Sequence, residues 1–162
     1  MNRRIRWRWR PTSEEAKAIG DKFGVAVEST PGRTVLSVDR ARVKEACVAV
    51  SSLPGYYHLS TIAGADLGDG IEITYFFWRG RSFFVVRTSV PKTDPKLDSI
   101  SGVLPGATLY EAEIQDLYGV IFTGSPYTGK RLLLPDKYPA DAPPPFRTEA
   151  DPEKVRKLMQ LD

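Results

Sequence analysis

The sequence has very few of the side chains that hold metals and clusters. Its 162 residues include one cysteine, Cys47, and one histidine, His58. Zinc sites and iron–sulfur clusters usually need about four cysteine or histidine ligands, so neither fits in this chain. A single cysteine also excludes an internal disulfide, which is typical of a protein from a reducing compartment. We therefore expect this chain to bind no metal and no other cofactor of its own.

Long apolar runs and phosphate-binding loops are also missing. No stretch approaches the roughly 18 apolar residues that a membrane-spanning helix needs. The positively charged N-terminus is not followed by the apolar core of a signal peptide, and no glycine-rich loop opens a helix. Hydrophobic residues make up 41% of the chain and charged residues 27%, as in soluble globular proteins. The length predicts one domain with a substantial core.

The first ten residues form a basic arm in which cationic and apolar side chains alternate. Between Arg4 and Arg10, arginines alternate with Ile5, Trp7 and Trp9, which is the period of a strand with one apolar face. One interpretation is an arm for nucleic acid or anionic lipid, because arginine neutralises phosphates and tryptophan stacks on bases. We favour the other interpretation, an arm or edge strand that packs on this domain or on a neighbouring subunit, because no second basic cluster continues the stripe.

Residues 11–125 are predicted to form an α+β globular domain. Helices are predicted at about 12–23 and 39–53, and strands at about 25–28, 34–38, 56–65, 71–78 and 82–90. The second helix has a buried stripe that includes Cys47, which predicts a core thiol. Residues 91–105 contain three prolines and are predicted to be a loop with at most one helical turn. This order of elements indicates a small α+β layer fold.

The most informative stretch begins at Thr108. It predicts a helix of about ten residues, with Thr108 and Glu111 as a capping box at its start and Gly119 as the left-handed residue that ends it. A rotation of about 100° per residue places Glu113 and Asp116 together on one flank of an apolar stripe and Glu111 on the other. For any one of these carboxylates, the simplest interpretation is a solvated acidic flank.

Taken as a whole, the stretch resembles a known family signature. The sequence Tyr110-Glu111-x-Glu113-x-x-Asp116-Leu117-Tyr118-Gly119 is similar to the Tyr-Glu-Arg-Glu-x-x-Asp-Met-Phe-Gly helix of the respiratory complex I 30 kDa subunit family. That family, whose members are also called the C subunit of NADH-quinone oxidoreductase, includes the homologous subunit of membrane-bound nickel–iron hydrogenases and formate hydrogenlyases. The similarity continues through Phe122-x-Gly124-x-Pro126 and Arg131-Leu132-Leu133-Leu134-Pro135-Asp136. Ala112 replaces the family's arginine and Ser125 its histidine, which we interpret as marks of a divergent branch.

The resemblance implies both a fold and a place in a larger assembly. It implies a mixed sheet packed against helices, with the signature helix after the last strand. It also implies a non-catalytic subunit in the peripheral arm of a membrane-bound oxidoreductase, at the cytoplasmic face of the cell membrane. The partners would be iron–sulfur subunits and a large catalytic subunit that forms the quinone site or holds the nickel–iron centre. All cofactors would belong to those partners, and this subunit would support electron transfer coupled to ion translocation.

Proline becomes frequent from residue 126 onward. Seven of the 13 prolines lie between Pro126 and Pro152, and a run such as 140–147 favours polyproline geometry over helix or central strand. We predict that residues 126–162 form an extended proline-rich tail with a short terminal helix, which docks on a partner subunit. The residues predicted to contact the partner are Glu111, Glu113, Asp116, Lys130, Arg131, Leu132, Leu134, Phe146 and Arg147.

Different classes of function are consistent with these patterns. The first is the cofactor-free accessory subunit, since no nucleophile beside a base is recognisable in the chain. The second is a stand-alone nucleic-acid-binding module, which predicts salt-sensitive binding that is lost when residues 1–10 are deleted. A hydrolase that uses Glu113 and Asp116 is a third alternative. The sequence leaves open the electron donor and acceptor, the pumped ion, and the choice between quinone reductase and hydrogenase.

Overall fold

Helices separate groups of one to four consecutive strands along the described part of the chain. The computed structural model describes residues 13–54, 58–80 and 82–159, so the basic arm lies outside the described residues. The elements are α1 (Ser13–Phe23), β1 (Val27–Thr30), β2 (Arg33–Ser37), a 3₁₀ turn (Arg40–Arg42), α2 (Val43–Ser51), β3 (His58–Asp66), β4 (Gly70–Arg79), β5 (Ser82–Pro91), β6 (Lys96–Asp98), α3 (Ala107–Tyr118), β7 (Ile121–Thr123) and α4 (Pro152–Met159).

Five of the strands form one mixed sheet in the order β1-β2-β5-β4-β3. Strands β2 and β5 are parallel, and the other neighbours are antiparallel. Alternate residues of β4, namely Ile71, Ile73, Tyr75 and Phe77, are fully buried, because successive side chains of a strand point to opposite faces. The prediction of an α+β fold with a mixed sheet against helices is confirmed.

Helices α1, α2 and α3 cover one face of this sheet. Ile19 of α1, Cys47 of α2 and Ile114 of α3 belong to the same buried cluster as Phe84 and Val86 of β5. The prediction that Cys47 is a core thiol is therefore confirmed. Burial raises the pKa of the Cys47 thiol well above its ordinary value, because the apolar core disfavours the thiolate.

A second, two-stranded sheet lies where the sequence predicted a loop. Strand β6 pairs in parallel with β7, and Leu97 lies beside Phe122 in the register. The loop prediction over 91–105 is wrong here, because a three-residue strand next to a proline shows no period, and its partner comes after α3. This pairing holds together the two ends of the segment that contains α3, and so it positions the signature helix.

Candidate subunit interface

Helix α3 does not begin with the predicted capping box. It starts at Ala107, after Gly106, and the Thr108 hydroxyl donates a hydrogen bond to the Pro105 carbonyl at 2.8 Å. Glu111 is fully buried and points into the protein, away from the helix terminus. The end of the helix is as predicted, since Gly119 adopts φ 70° in the left-handed region.

Glu111 is the centre of a buried polar cluster. Its Oε2 accepts a hydrogen bond from Ser99 Oγ at 2.6 Å, its Oε1 accepts one from the Ile100 N–H at 2.7 Å, and the hydroxyls of Ser99 and Ser101 are 2.6 Å apart. Burial raises the pKa of Glu111, whereas the hydrogen bonds from Ser99, Ile100 and Ser125 lower it, and the net shift is upward. Glu111 therefore fastens the loop after β6 to α3, and a direct contact with a partner would require this cluster to open.

Asp116 fastens a different part of the chain, the C-terminal segment of residues 126–159. Its Oδ2 accepts hydrogen bonds from the backbone N–H groups of Leu132, Leu133 and Leu134, at 2.8, 2.6 and 3.1 Å. Asp116 is only 5% exposed, whereas Glu113 on the same flank is exposed. The interpretation of a solvated flank is wrong for Asp116, because its donors lie 16 to 18 positions later in the chain.

The turns that flank this leucine run are also held in place. Gln115 Nε2 donates hydrogen bonds to the carbonyls of Tyr127 and Lys130, at 3.2 and 2.7 Å. After the leucines, Arg131 Nη1 donates to the Pro135 carbonyl at 2.7 Å. Hydrogen bonds from or to side chains thus fix the beginning, the middle and the end of the stretch from 127 to 135.

A later part of the C-terminal segment caps the last turn of α3. The Phe146 N–H donates to the Leu117 carbonyl at 2.9 Å, and Arg147 Nε donates to the Tyr118 carbonyl at 2.8 Å. The Phe146 ring packs edge-on against the Tyr118 ring, with the centroids 5.7 Å apart. The last carbonyls of a helix lack partners within the helix, so these donors satisfy groups that would otherwise need water.

Gly119 is required here for two reasons. Its positive φ disfavours any residue with a Cβ. A Cβ at this position would also come within 2.7 Å of Pro144 Cγ and 3.1 Å of Arg147 Nη2. The glycine of the signature therefore both ends α3 and lets the C-terminal segment pass close to the helix.

A groove lies between the last turn of α3 and residues 128–144, with a volume of about 390 Å³. Beside it, Leu132, Leu133 and Phe146 are 38%, 48% and 57% exposed, and Arg131 is exposed as well. An apolar surface with a charged rim is typical of a protein–protein contact. Nothing in the sequence pointed to this groove, because its walls come from stretches that meet only through tertiary contacts.

The structure places most of the predicted contact residues around this end of α3. Glu113, Lys130, Arg131, Leu132 and Phe146 are exposed, Leu134 and Arg147 are partly buried, and Glu111 and Asp116 are buried. The exposed members can meet a partner directly. The buried residues fix the position of the backbone that carries the exposed side chains.

A charged clasp attaches the C-terminal segment to the sheet. Lys92 Nζ lies 2.7 Å from Asp66 Oδ2 and 2.9 Å from Glu149 Oε1, and the Thr148 N–H donates to Asp66 Oδ2 at 2.8 Å. Burial raises the pKa of Asp66, but the Lys92 ammonium and the N–H groups of Thr148 and Gly68 outweigh it and hold that pKa far below its ordinary value. Nothing in the local sequence indicates this clasp, because Thr148 lies 82 positions away from Asp66.

We expect the substitution Lys92→Met to loosen the C-terminal segment. It removes the cation between Asp66 and Glu149 while keeping most of the side chain's length. Limited proteolysis within residues 126–159 should become on the order of tenfold faster, because cleavage follows the population of locally opened molecules.

The matched control for this prediction is Lys96→Met, since Lys96 forms an exposed ion pair with Asp94 at 3.5 Å. The stabilisation that Asp66 contributes also depends on pH, and its lowered pKa sets the direction of that dependence. Because the fold lowers the pKa of Asp66, its stabilisation is present above the ordinary value of 3.8 and is lost as pH falls through the folded pKa. Equal cleavage rates for the wild type and Lys92→Met would show that the clasp does not hold the segment.

The described part of the chain contains neither a metal-binding cluster nor a membrane-spanning helix. Within residues 13–54, 58–80 and 82–159, no group of three or more His, Cys, Asp or Glu side chains is placed to hold a metal ion. Over the same ranges, no helix has the length and apolarity needed to cross a bilayer.

Comparison with known proteins gives consistent matches. The sequence profile of the family described as "Respiratory-chain NADH dehydrogenase, 30 Kd subunit" matches residues 36–156. The chain is 28% identical over 128 residues to the C subunit of F(420)H(2) dehydrogenase from Methanosarcina mazei, which covers 74% of this chain and 80% of that protein. It is 26% identical over 163 residues to the C/D subunit of NADH-quinone oxidoreductase from Pseudomonas fluorescens, which covers 88% of this chain and 27% of that protein.

Two solved structures have a similar fold. A chain of the membrane-bound sulfane sulfur reductase, an archaeal respiratory membrane complex, aligns with TM-score 0.76 over 92% of both chains at 21% identity. At that identity the likeness concerns the fold alone. The trypsin-resistant fragment of Nqo5 aligns with TM-score 0.56 at 29% identity, over 70% of this chain and 93% of that fragment.

Proposed function

Because the chain belongs to the family of the 30 kDa subunit of respiratory-chain NADH dehydrogenase, we propose that it is a non-catalytic peripheral-arm subunit. In this proposal it docks on the large catalytic subunit of a complex I-like oxidoreductase, either an NADH:quinone oxidoreductase or a related energy-converting hydrogenase. The docking site is the groove beside α3, together with Leu132, Leu133 and Phe146. The iron–sulfur clusters, and the quinone site or nickel–iron centre, belong to the partner subunits.

The observation that supports this site is the exposure of large apolar side chains on a fixed backbone. The backbone N–H groups of Leu132 and Leu133 are held by Asp116 at 2.8 and 2.6 Å. The side chains of these two leucines nevertheless remain 38% and 48% exposed. A partner that covers them gains the burial of apolar surface without first having to order the segment. Pre-organised apolar groups of this kind are expected of a permanent interface.

The names and lengths of the relatives support the choice of partner. The Pseudomonas fluorescens relative is named as a C/D subunit, and this chain covers only 27% of it. A polypeptide of that name and length contains a second unit beside the one that matches this chain. Units that are joined in one protein commonly contact each other as separate subunits in another. We therefore propose that the large partner corresponds to the D portion of such proteins.

In this proposal the protein reaches the cytoplasmic face of the membrane through its partners. The predicted docking of the proline-rich tail on a partner is kept in a modified form. The C-terminal segment is hydrogen-bonded to its own domain through Asp116, Gln115 and Arg147. Only its outer side contacts the partner in this proposal. The subunit supports electron transfer and ion translocation by holding the arm together. The oxidation of the electron donor takes place on the other subunits.

We expect the double substitution Leu132→Asp and Leu133→Asp to abolish docking. Two carboxylates at a buried apolar interface would lose their hydration without gaining partners. Recovery of the large subunit in a mild-detergent pull-down from native membranes should fall more than about tenfold, a change that corresponds to roughly 1.4 kcal/mol or more. The partners are to be identified by mass, with the tagged full-length chain as bait.

The matched control is Val103→Asp, because Val103 is 46% exposed and precedes the other end of α3. Circular dichroism of each variant tests whether the fold is intact. Recovery of the same partners by wild type and the leucine variant would contradict the proposed docking site. Recovery of RNA in place of large and iron–sulfur subunits would contradict the function and favour the nucleic-acid alternative.

A further inference from the structure

The two edge strands of the five-stranded sheet, β1 and β3, differ in how they are protected. Strand β1 is only four residues long, is mostly exposed and includes Glu28. Strand β3 has nine residues, and none of those between His58 and Asp66 is charged or a proline. Soluble proteins usually guard their sheet edges with short strands, charged side chains or prolines, because a free edge pairs readily with another chain. The β1 edge has such guards, and most of the β3 edge does not.

The register of the β3–β4 hairpin identifies the backbone groups of β3 that face away from β4. The Leu67 N–H donates to the Gly70 carbonyl at 2.9 Å, which makes these two residues a hydrogen-bonded pair. Along an antiparallel ladder such pairs alternate with pairs that exchange no hydrogen bonds, and the register is regular from residue 61 to residue 66. The N–H and C=O groups of Ile62 and Gly64 therefore point outwards from the edge of the sheet.

These outward groups are unpaired within the ranges that the structure describes. Neither a backbone group nor a side chain of residues 13–54, 58–80 and 82–159 forms a hydrogen bond with the N–H or C=O of Ile62 or Gly64 on that side. The neighbouring residues Ala63 and Ala65 are exposed, so another chain can reach this edge. The edge thus offers a row of alternating donors and acceptors to an extended segment.

Helix α3 lies along the same strand and provides an apolar wall beside the edge. The Tyr110 hydroxyl donates to the Ser60 carbonyl at 2.8 Å, and a Cβ at Gly64 would come within 2.6 Å of the Tyr118 ring. Both tyrosines are only partly buried, so part of each ring is still available for contact. Alternate side chains of a strand added beyond β3 would point to this side of the sheet and pack against α3.

The β3 edge is continuous with the docking site proposed above. The Tyr118 ring, which lies over Gly64, packs against the ring of Phe146 with the centroids 5.7 Å apart. At the end of β3, Asp66 Oδ2 accepts a hydrogen bond from the Thr148 N–H at 2.8 Å. The docking site and the C-terminal end of β3 are therefore neighbours, and one partner can cover both.

We propose that an extended segment of the large partner subunit adds a sixth strand to the five-stranded sheet, at the edge of β3 from residue 61 to residue 66. Its backbone forms hydrogen bonds with the outward N–H and C=O groups of Ile62 and Gly64, and its side chains on the α3 side are apolar. A strand of that length spans about 20 Å. This inference rests on the proposed function, because it assumes the same partner, and it adds a contact made through the backbone.

Amide hydrogen exchange tests the pairing one residue at a time. The full-length chain is exchanged free and within the complex recovered from membranes in mild detergent, and electron-transfer fragmentation mass spectrometry then reports single amides. The amides of Ile62 and Gly64 should exchange at least about a hundredfold more slowly in the complex. The amides of Ala63 and Ala65 face β4 in the same register and serve as the internal control, since they are already paired in the free chain and should change far less.

A pair of lysines at the edge tests whether the pairing contributes to docking. The double substitution Ala63→Lys and Ala65→Lys should reduce recovery of the large subunit by about tenfold, because charged side chains on an edge strand oppose the approach of another strand. The matched control, Ser29→Lys and Thr30→Lys, adds the same charge to exposed positions of β1 and should leave recovery unchanged. Equal recovery of the two variants would contradict the proposal. If the Ala63→Lys and Ala65→Lys variant does not fold, the exchange experiment on the wild type decides alone.

Three results of the exchange experiment would also overturn the proposal. The first is a change at Ile62 and Gly64 that is absent, or no larger than at Ala63 and Ala65, in a complex that contains the large subunit; this would exclude the added strand and leave the proposed function intact. The second is slow exchange of Ile62 and Gly64 already in the free chain, which would show that the edge is covered by the chain itself or by a second copy. The third is a recovered complex without the large subunit, which would contradict the proposed function as well.

Discussion

Replacing Asp116 by alanine is expected to release residues 132–134 from α3 and to lower the free energy of unfolding by about 3 kcal/mol. One carboxylate oxygen accepts three backbone N–H groups at 2.6 to 3.1 Å. Alanine would leave all three donors without their acceptor and would open a space beside the leucine run. The effect should be large because Asp116 is almost fully buried, so water replaces the lost bonds only after the segment has moved.

Hydrogen exchange is the direct measurement for this prediction. The amides of Leu132, Leu133 and Leu134 should exchange on the order of a hundredfold faster in Asp116→Ala, because the local opening becomes more favourable by roughly 3 kcal/mol. Denaturant unfolding then gives the global effect. The substitution should also weaken the proposed docking, since the leucines would no longer be held in one position.

The control for Asp116 is Glu113→Ala on the same flank of α3. Glu113 is exposed, and removal of an exposed carboxylate usually changes stability by less than about 0.5 kcal/mol. If the two alanine variants were equally stable, or if exchange of the leucine amides were unchanged in Asp116→Ala, the hydrogen bonds to Asp116 would have no structural importance.

Replacing Glu111 by alanine is expected to destabilise the protein by about 4 kcal/mol. The Ile100 N–H and the Ser99 hydroxyl would lose their acceptor inside the protein, and the missing side chain would leave a cavity. The loop between β6 and α3 would lose its attachment, so the β6–β7 pairing should weaken as well. Thermal and denaturant unfolding measure the loss, and Glu113→Ala again serves as the exposed control.

The raised pKa of Glu111 gives a separate prediction, which concerns how the stability of the protein depends on pH. Because burial raises its pKa above the ordinary value of 4.5, the folded state binds the proton more tightly than the unfolded state. The contribution of Glu111 to stability is then fully present below that ordinary value and is lost as pH rises through the folded pKa. This sign is opposite to that of Asp66, whose pKa the fold lowers.

The variant Glu111→Gln isolates this contribution, because glutamine keeps the shape but does not titrate. The unfolding free energy of the wild type minus that of the variant should decrease over the pH range that begins near the ordinary value of 4.5 and extends upward. A difference that is constant or that increases over this range would show that the fold does not raise the pKa of Glu111.

The two buried carboxylates explain what the signature does within this chain. Glu111 attaches α3 to the loop that precedes it, and Asp116 attaches α3 to the segment that follows it. Gly119 then ends the helix and admits Pro144 and Arg147 to the same place. The spacing of the motif therefore reflects contacts inside the subunit, which in turn fix the surface offered to a partner.

Local pattern was sufficient for the elements whose signal lies within a few residues. The existence of strand β4, the buried stripe of α2 and the left-handed Gly119 were all predicted, because each follows from a local run of apolar residues, from periodicity or from one backbone conformation. The resemblance of the motif was likewise sufficient for the family, since it depends on the order of residues alone.

Only the tertiary structure decided the roles of the polar residues. Strand β6 has three residues and finds its partner beyond α3, Asp116 finds its donors 16 to 18 positions later, and Asp66 meets Thr148 at a separation of 82. A carboxylate on a helix looks the same in sequence whether it faces water or a buried N–H. Which of the two it faces depends on how distant segments pack, and packing is decided by the whole chain together.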